Sequence, residues 1–245
     1  MNQLADNKKL MDFLLYSYFG CKSNDLAREG MQKCAYRAYL DLNRRIGFYY
    51  SSSKLASMQK RNVSKDMANL AKEYKEAKSN LVKEICTIIL SPVGECQCVD
   101  GQFDSWHEAK CKEIKNIMNE EKSKAGTPIL KENGLFTYGL AQKWVNMTLK
   151  YLWLLGMLPE GLTKKSLHVP IDSFILKKLQ DENVDGISGS DGDTYKYRGE
   201  SWSQLDDYSD YSDVQGEIER IARGISPIEW EASAWMDVTK TRSSK

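Results

Sequence analysis

LFTYGLAQKWVNMTLKYLWLLGML, from Leu135 to Leu158, is the stretch on which the rest of the chain depends. After Gln142 its polar positions are Lys143, Asn146 and Lys150, three and four residues apart, which makes one narrow stripe on a helix. Phe136, Leu140, Trp144, Met147, Tyr151 and Leu154 recur at helical spacing on another side. Ala141, Val145, Leu149 and Leu152 fill most of what remains. A helix apolar nearly all round is covered by neighbours on several sides. The expected fold is therefore all-α: a multi-helix globular domain packed around a central buried helix over residues 136–155. The segment does not suit a bilayer. A span needs about 20 apolar residues, and two lysines near its middle would each cost a few kcal/mol in lipid.

The flanks supply the remaining helices. Residues 4–19 carry an apolar stripe of Leu10, Phe13, Leu14 and Phe19. A second helix, capped by Asn24 or Asp25, keeps Met31, Cys34, Ala38, Leu42, Ile46 and Tyr49 in register. Ser51 to Ser53 mark a turn, and Ser64 opens a long helix that runs to about Leu90, with lysines and glutamates on a solvated face. Ser105 and Glu108 form a capping box for another helix. Pro170 suits a first helical position and Asp172 a first turn. Residues 181–201 turn to Asp, Gly and Ser and read as a mobile acidic loop with a short hairpin near Thr194 to Tyr197. Ser226-Pro227-Ile228-Glu229 starts a last helix bearing Trp230 and Trp235, and residues 237–245 read as a frayed tail. No long strand pattern and no linker divides the 245 residues, so a single helical domain over 1–245 is expected.

The net charge of +1 hides an asymmetry. Arg28 to Lys65 hold nine Lys/Arg against two acids, and Asp181 to Glu219 hold twelve acids against two basic residues. Either the two regions face each other, within a chain or between subunits, or the basic one is a surface for an anionic partner. Arg37, Arg44 and Arg45 lie among Tyr36, Tyr39 and Tyr50, a mixture that pairs with phosphate and stacks on bases. Lys60 and Arg61 extend the basic run. The N-terminal residues lack a secretory pattern, because Asp6, Lys8, Lys9 and Asp12 interrupt the apolar run; a cytoplasmic location with reduced thiols follows as an expectation.

Two constellations could carry chemistry. Cys96, Cys98, His107 and Cys111 match the ligand set of a closed tetrahedral zinc site, with His107 and Cys111 one helical turn apart. The alternative there is three buried cysteines and an exposed histidine. With four protein ligands the zinc would be structural. His168, Asp172, Asp206 and Asp207 are the candidates for a general base and carboxylate ligands in metal-dependent phosphodiester hydrolysis. Glycine-rich phosphate loops, nucleophile elbows, HExxH and dinucleotide fingerprints are all missing, which argues against the commonest nucleotide and hydrolase folds.

GLAQKWVNMTLKYLWLLG, LHVPID, SWSQLDD and SPIEWEASAW resemble segments of helical proteins of bacterial or phage origin. The resemblance covers the C-terminal half and implies no activity. The leading expectation is a non-catalytic binding protein whose basic helical surface, through Arg37, Arg44, Arg45, Lys60 and Arg61, takes nucleic acid or an acidic protein partner. The alternatives are a nuclease-like metal-dependent hydrolase and a homo-oligomeric helical scaffold.

Overall fold

The computed structural model describes residues 2–60, 63–91, 102–189 and 195–243. Among them the chain forms nine α-helices: α1 (Asn2–Phe19), α2 (Leu26–Leu42), α3 (Ser52–Met58), α4 (Lys65–Leu90), α5 (Phe103–Glu120), α6 (Tyr138–Leu154), α7 (Ser173–Asp181), α8 (Tyr208–Ala222) and α9 (Pro227–Ser243). No helix among these residues is long and apolar enough to cross a membrane.

The expected central helix is α6, and Trp144, Val145, Leu149 and Leu152 are sealed within the core. Its start is tightly held. The Thr137 side chain accepts from the Leu140 N–H at 3.2 Å, and Asp206 Oδ1 accepts from the Tyr138 N–H at 2.9 Å. Gly139 lets the turn at residues 202–205 cross that first helical turn, because a Cβ there would stand 2.0 Å from the Trp202 carbonyl oxygen. The far end closes on Gly156, at φ +65°, with Gly156 N–H on Trp153 O and Met157 N–H on Leu152 O.

Helix α2 packs closest against α6. Ala35 and Ala38 keep the contact thin, and the Trp144 indole N–H donates to the Ala35 carbonyl at 2.9 Å. Helix α5 closes a further side of α6, and α4 packs on α2 and α5. On the side of the polar stripe lies an extended segment, residues 167–171, whose backbone has no neighbouring strand. Side-chain amides satisfy it instead. Gln142 bonds both N–H and C=O of Ile171, Gln215 bonds both groups of Val169, and Asn146 adds a bond to the Val169 carbonyl.

Several expectations need correction. In α1, Leu10, Phe13 and Leu14 are exposed, while Leu15 is buried and Phe19 half-buried. The helix leans on the body through the latter pair, and the Phe19 ring packs edge-on against Tyr151 at 5.3 Å. Helix α2 stops at Leu42 and is followed by a 3-10 turn over Asn43–Arg45. Residues 47–49 then leave helical geometry to pair with 129–131, through Tyr49 N–H on Ile129 O and Lys131 N–H on Gly47 O. Ser51 is a helix cap, accepting from the Lys54 N–H at 3.2 Å. Helix α5 begins at Phe103, ahead of Ser105.

The acidic stretch 181–201 contains more pairing than the short hairpin expected near Thr194 to Tyr197. Strands β1 (Ile187–Ser188), β2 (Lys196–Tyr197) and β3 (Glu200–Ser201) form a small antiparallel sheet in that order, and Val184, Tyr195 and Tyr197 are buried. Residues 190–194 lie outside the described residues. The backbone expected to fray stays helical to Ser243.

Candidate functional site

The cations of residues 28–65 divide into two groups. Arg28 and Lys33 share Glu29, and Arg37 donates to Asp41 at 2.6 Å while its guanidinium lies over the Tyr18 ring at 4.1 Å. These are contacts within the fold. Arg44, Arg45 and Lys60 are exposed and have no acidic partner within ion-pair distance among the described residues; Arg61 lies outside those residues. No ion pair among the described residues joins 28–65 to 181–219. The acids of the second region turn to local bases, Arg198 with Asp210 and Asp213, Lys178 with Glu182 and Arg220 with Glu217. Among the described residues the two charged regions therefore leave each other unneutralised.

The clearest excess of positive charge sits in a groove between α2, α3 and α4. Its cavity measures about 480 Å³ and is lined by Tyr36, Tyr39, Ser52, Leu55, Lys75, Lys78, Ser79, Val82 and Lys83, with no acidic residue among them. Helix periodicity explains the arrangement: Lys75, Lys78, Ser79 and Val82 fall on one face of α4, and Glu84 falls on the opposite side. Val82 and Leu55 are buried and form the apolar floor. Lys75, Lys78 and Lys83 complete its lining. Lys75 donates to Gln59, next to Lys60. Lys78 lies 3.3 Å from the centre of the Phe48 ring, and no carboxylate pairs with it. Burial lowers its pKa from 10.5 to about 8.

The aromatic wall of the groove is anchored in the core. Trp144 packs on Tyr39 at 5.3 Å, and Tyr39 packs on Tyr36 at 5.8 Å. Tyr36 is the exposed end of that row. Burial raises the Tyr39 hydroxyl pKa, so it stays protonated as a donor. The groove thus presents lysines beside an exposed ring that packs on a buried aromatic row.

The residues considered for catalysis do not come together, and each has a partner. His168 Nε2 donates to Asp104 Oδ1 at 2.9 Å, and its Nδ1 accepts from the Tyr211 hydroxyl at 2.8 Å. Asp172 caps α7 through the Phe174 and Ile175 N–H groups and holds Lys143 at 2.6 Å. Asp206 takes the Tyr138 N–H and Lys115, and Asp207 caps α8 at Ser209. No hydrogen bond or ion pair joins any two of the four.

Of the zinc candidates, Cys96 and Cys98 lie outside the described residues. His107 and Cys111 are both fully buried, so the exposed histidine of the alternative reading is corrected. The His107 ring donates from Nε2 to Asn146 Oδ1 at 2.8 Å and meets the Tyr138 hydroxyl at Nδ1, 3.3 Å away. Burial pushes the Cys111 thiol up and keeps His107 well below its ordinary 6.5. Among the described residues no group of three or more His, Cys, Asp and Glu side chains is placed to hold a metal.

Lys75, Lys78 and Lys83 escaped the sequence reading because acids alternate with them along α4. The signal was present in their spacing, with small Ser79 and apolar Val82 on the same face. Comparisons with family models, with curated proteins and with solved structures give no match, so the geometry alone supports a function.

Proposed function

We propose that this chain is a nucleic-acid-binding protein that takes a single strand along the α2–α3–α4 groove. The observation carrying this reading is a cavity with three lysines, an exposed tyrosine and no carboxylate among its lining residues. Backbone phosphates suit the ammoniums of Lys75, Lys78 and Lys83, and Tyr36 offers a face for a base. Stacking of one base on an aromatic side chain contributes about 1–3 kcal/mol. Lys60 extends the positive path beyond Gln59. Arg44 and Arg45 open on a different cleft and add little to this one.

Fluorescence anisotropy with labelled single-stranded DNA and RNA tests the reading. Wild type should bind at about 50 mM salt, with log K falling linearly against log salt. Lys75→Ala/Lys78→Ala/Lys83→Ala should weaken binding and make that slope shallower by about 2, from roughly 0.7 per lost phosphate contact. Tyr36→Ala should cost about tenfold in affinity with the slope unchanged. A wild type that ignores both polymers at low salt, or a triple variant that binds like wild type, overturns the proposal. Retention of an acidic polypeptide in preference to nucleic acid would move the groove to a protein partner and equally overturn it.

A further inference from the structure

A second cleft runs between α1, the end of α2, α6, α7 and α9, and it has a different chemistry along its length. One end is a cavity of about 490 Å³ walled by Tyr18, Phe19, Met147, Leu154, Leu155 and Trp235. Leu154 is 56% exposed, an apolar side chain left open at the rim. The cavity is in the size range of small-molecule sites, which combine apolar walls with a few polar groups.

The floor carries charges that cancel. Lys143 pairs with Asp172 at 2.6 Å, Lys150 with Glu231, and Arg37 with Asp41 at 2.6 Å. Tyr151 spends its hydroxyl proton on Asp41 as well. Asp41, Lys143 and Asp172 also border a neighbouring cavity of about 410 Å³, so the two spaces share one row of charged residues. At that far end stand Arg44 and Arg45, beside Trp202. Neither arginine has a carboxylate within ion-pair distance among the described residues, since Arg37 and Tyr151 already occupy Asp41.

An apolar trough with a neutralised floor and two free guanidiniums at one end is complementary to a single shape of charge. We infer that it binds a small amphipathic anion, with a hydrocarbon or aromatic body against the Met147 and Leu154 wall and a carboxylate or phosphate head on Arg44 and Arg45. Planar guanidiniums take either head group in paired hydrogen bonds. A polymer's repeating phosphates have no such match in an apolar trough, and the site shares no lining residue with the lysine groove.

Calorimetric titration of the full chain with decanoate, decyl phosphate, decanol and decylammonium tests this, each below its micelle concentration. The two anions should bind saturably and at least about tenfold more tightly than the alcohol or the cation. The tighter of the two identifies the head group as carboxylate or phosphate. Arg44→Gln/Arg45→Gln should lose about tenfold for the anions and leave decanol unchanged. Leu154→Glu, at an exposed rim position, should weaken the anions through repulsion and a less apolar wall. Lys83→Ala should leave all four titrations unchanged, which separates this site from the nucleic-acid groove. A melting temperature matching wild type certifies each variant as folded. Decanol or decylammonium binding as tightly as decanoate, an arginine variant indistinguishable from wild type, or no saturable binding by any probe up to about 1 mM overturns the assignment.

Discussion

The polar stripe of α6 and the lysine groove beside α4 treat the same side-chain chemistry in opposite ways. On α6, Lys143 has Asp172, Lys150 has Glu231, and Asn146 has His107, Val169 and Tyr211. In the groove, among the described residues, Lys78 has the face of Phe48 and no carboxylate, and Lys75 has a neutral amide and no carboxylate. A buried charge without a mate is costly, so the stripe had to be matched by the rest of the fold. Exposed Lys75 and Lys83 cost little to leave unpaired, half-buried Lys78 costs more, as its lowered pKa records, and their charges remain available to something outside the molecule. The polar stripe of α6 therefore specifies architecture, and the lysines of α4 remain free for binding.

If that contrast holds, the largest effect belongs to Asn146. Asn146→Leu removes the acceptor for the His107 ring and donors to Gln142, Val169 and Tyr211 at once. Urea unfolding should show a loss of about 3–4 kcal/mol, the sum of a few stranded buried groups. A loss under about 1 kcal/mol would mean that the network is ornamental and the contrast false. Next comes Lys143→Met, which leaves Asp172 facing a low-polarity wall. The expected loss is about 3 kcal/mol, and the double change Lys143→Met/Asp172→Asn should recover part of it. Neither change should alter the affinity for a single strand, whereas the groove triple variant should alter that affinity and leave stability within about 0.5 kcal/mol.

The same contrast explains what was readable from the sequence. The central helix was legible because apolar residues fill most of its circumference between Phe136 and Leu154, and only one packing arrangement shields such a surface. The polar stripe of Lys143, Asn146 and Lys150 was visible too, yet its partners were not. Asp172, Glu231 and Tyr211 lie 29 to 81 residues away in the chain, and no local pattern encodes such a distance. Helix α1 misled for a related reason: its apolar side chains imply a buried face, but Leu10, Phe13 and Leu14 are exposed while Leu15 is buried and Tyr18 and Phe19 pack on Tyr151. Of the groove, Tyr36 and Tyr39 stood out by type, while the α4 lysines were hidden among glutamates that periodicity later sorts onto another face.

A smaller effect separates the regions by pH. His107 is fully buried and held below 6.5 by loss of water and by neighbouring His168, with bonds to Asn146 and the charge of Asp104 acting the other way. In the unfolded chain it takes a proton at about the ordinary value; in the fold it does not. The unfolded state then binds more protons below pH 6.5, so stability should fall as the solution is acidified through that range. Unfolding midpoints measured from pH 7.5 to 5 should decline in wild type and decline less in His107→Gln. Equal slopes would show that His107 gains its proton inside the fold without penalty.

The finest distinction concerns Lys78. Its pKa of about 8 means that the free groove carries this charge at pH 7 and loses it over the next two pH units. A phosphate on the groove favours the charged form, so binding takes up a proton wherever free Lys78 lacks one. Affinity for single-stranded nucleic acid should therefore fall as pH rises from 7 to 9. Lys78→Arg keeps the charge at every pH in that window and should flatten the profile. Lys143→Met should leave the profile as it is, because Lys143 is already held by Asp172. A wild-type profile flat to pH 9 would place the phosphates away from Lys78, on Lys75 and Lys83 alone, and would narrow the contact to the outer edge of α4.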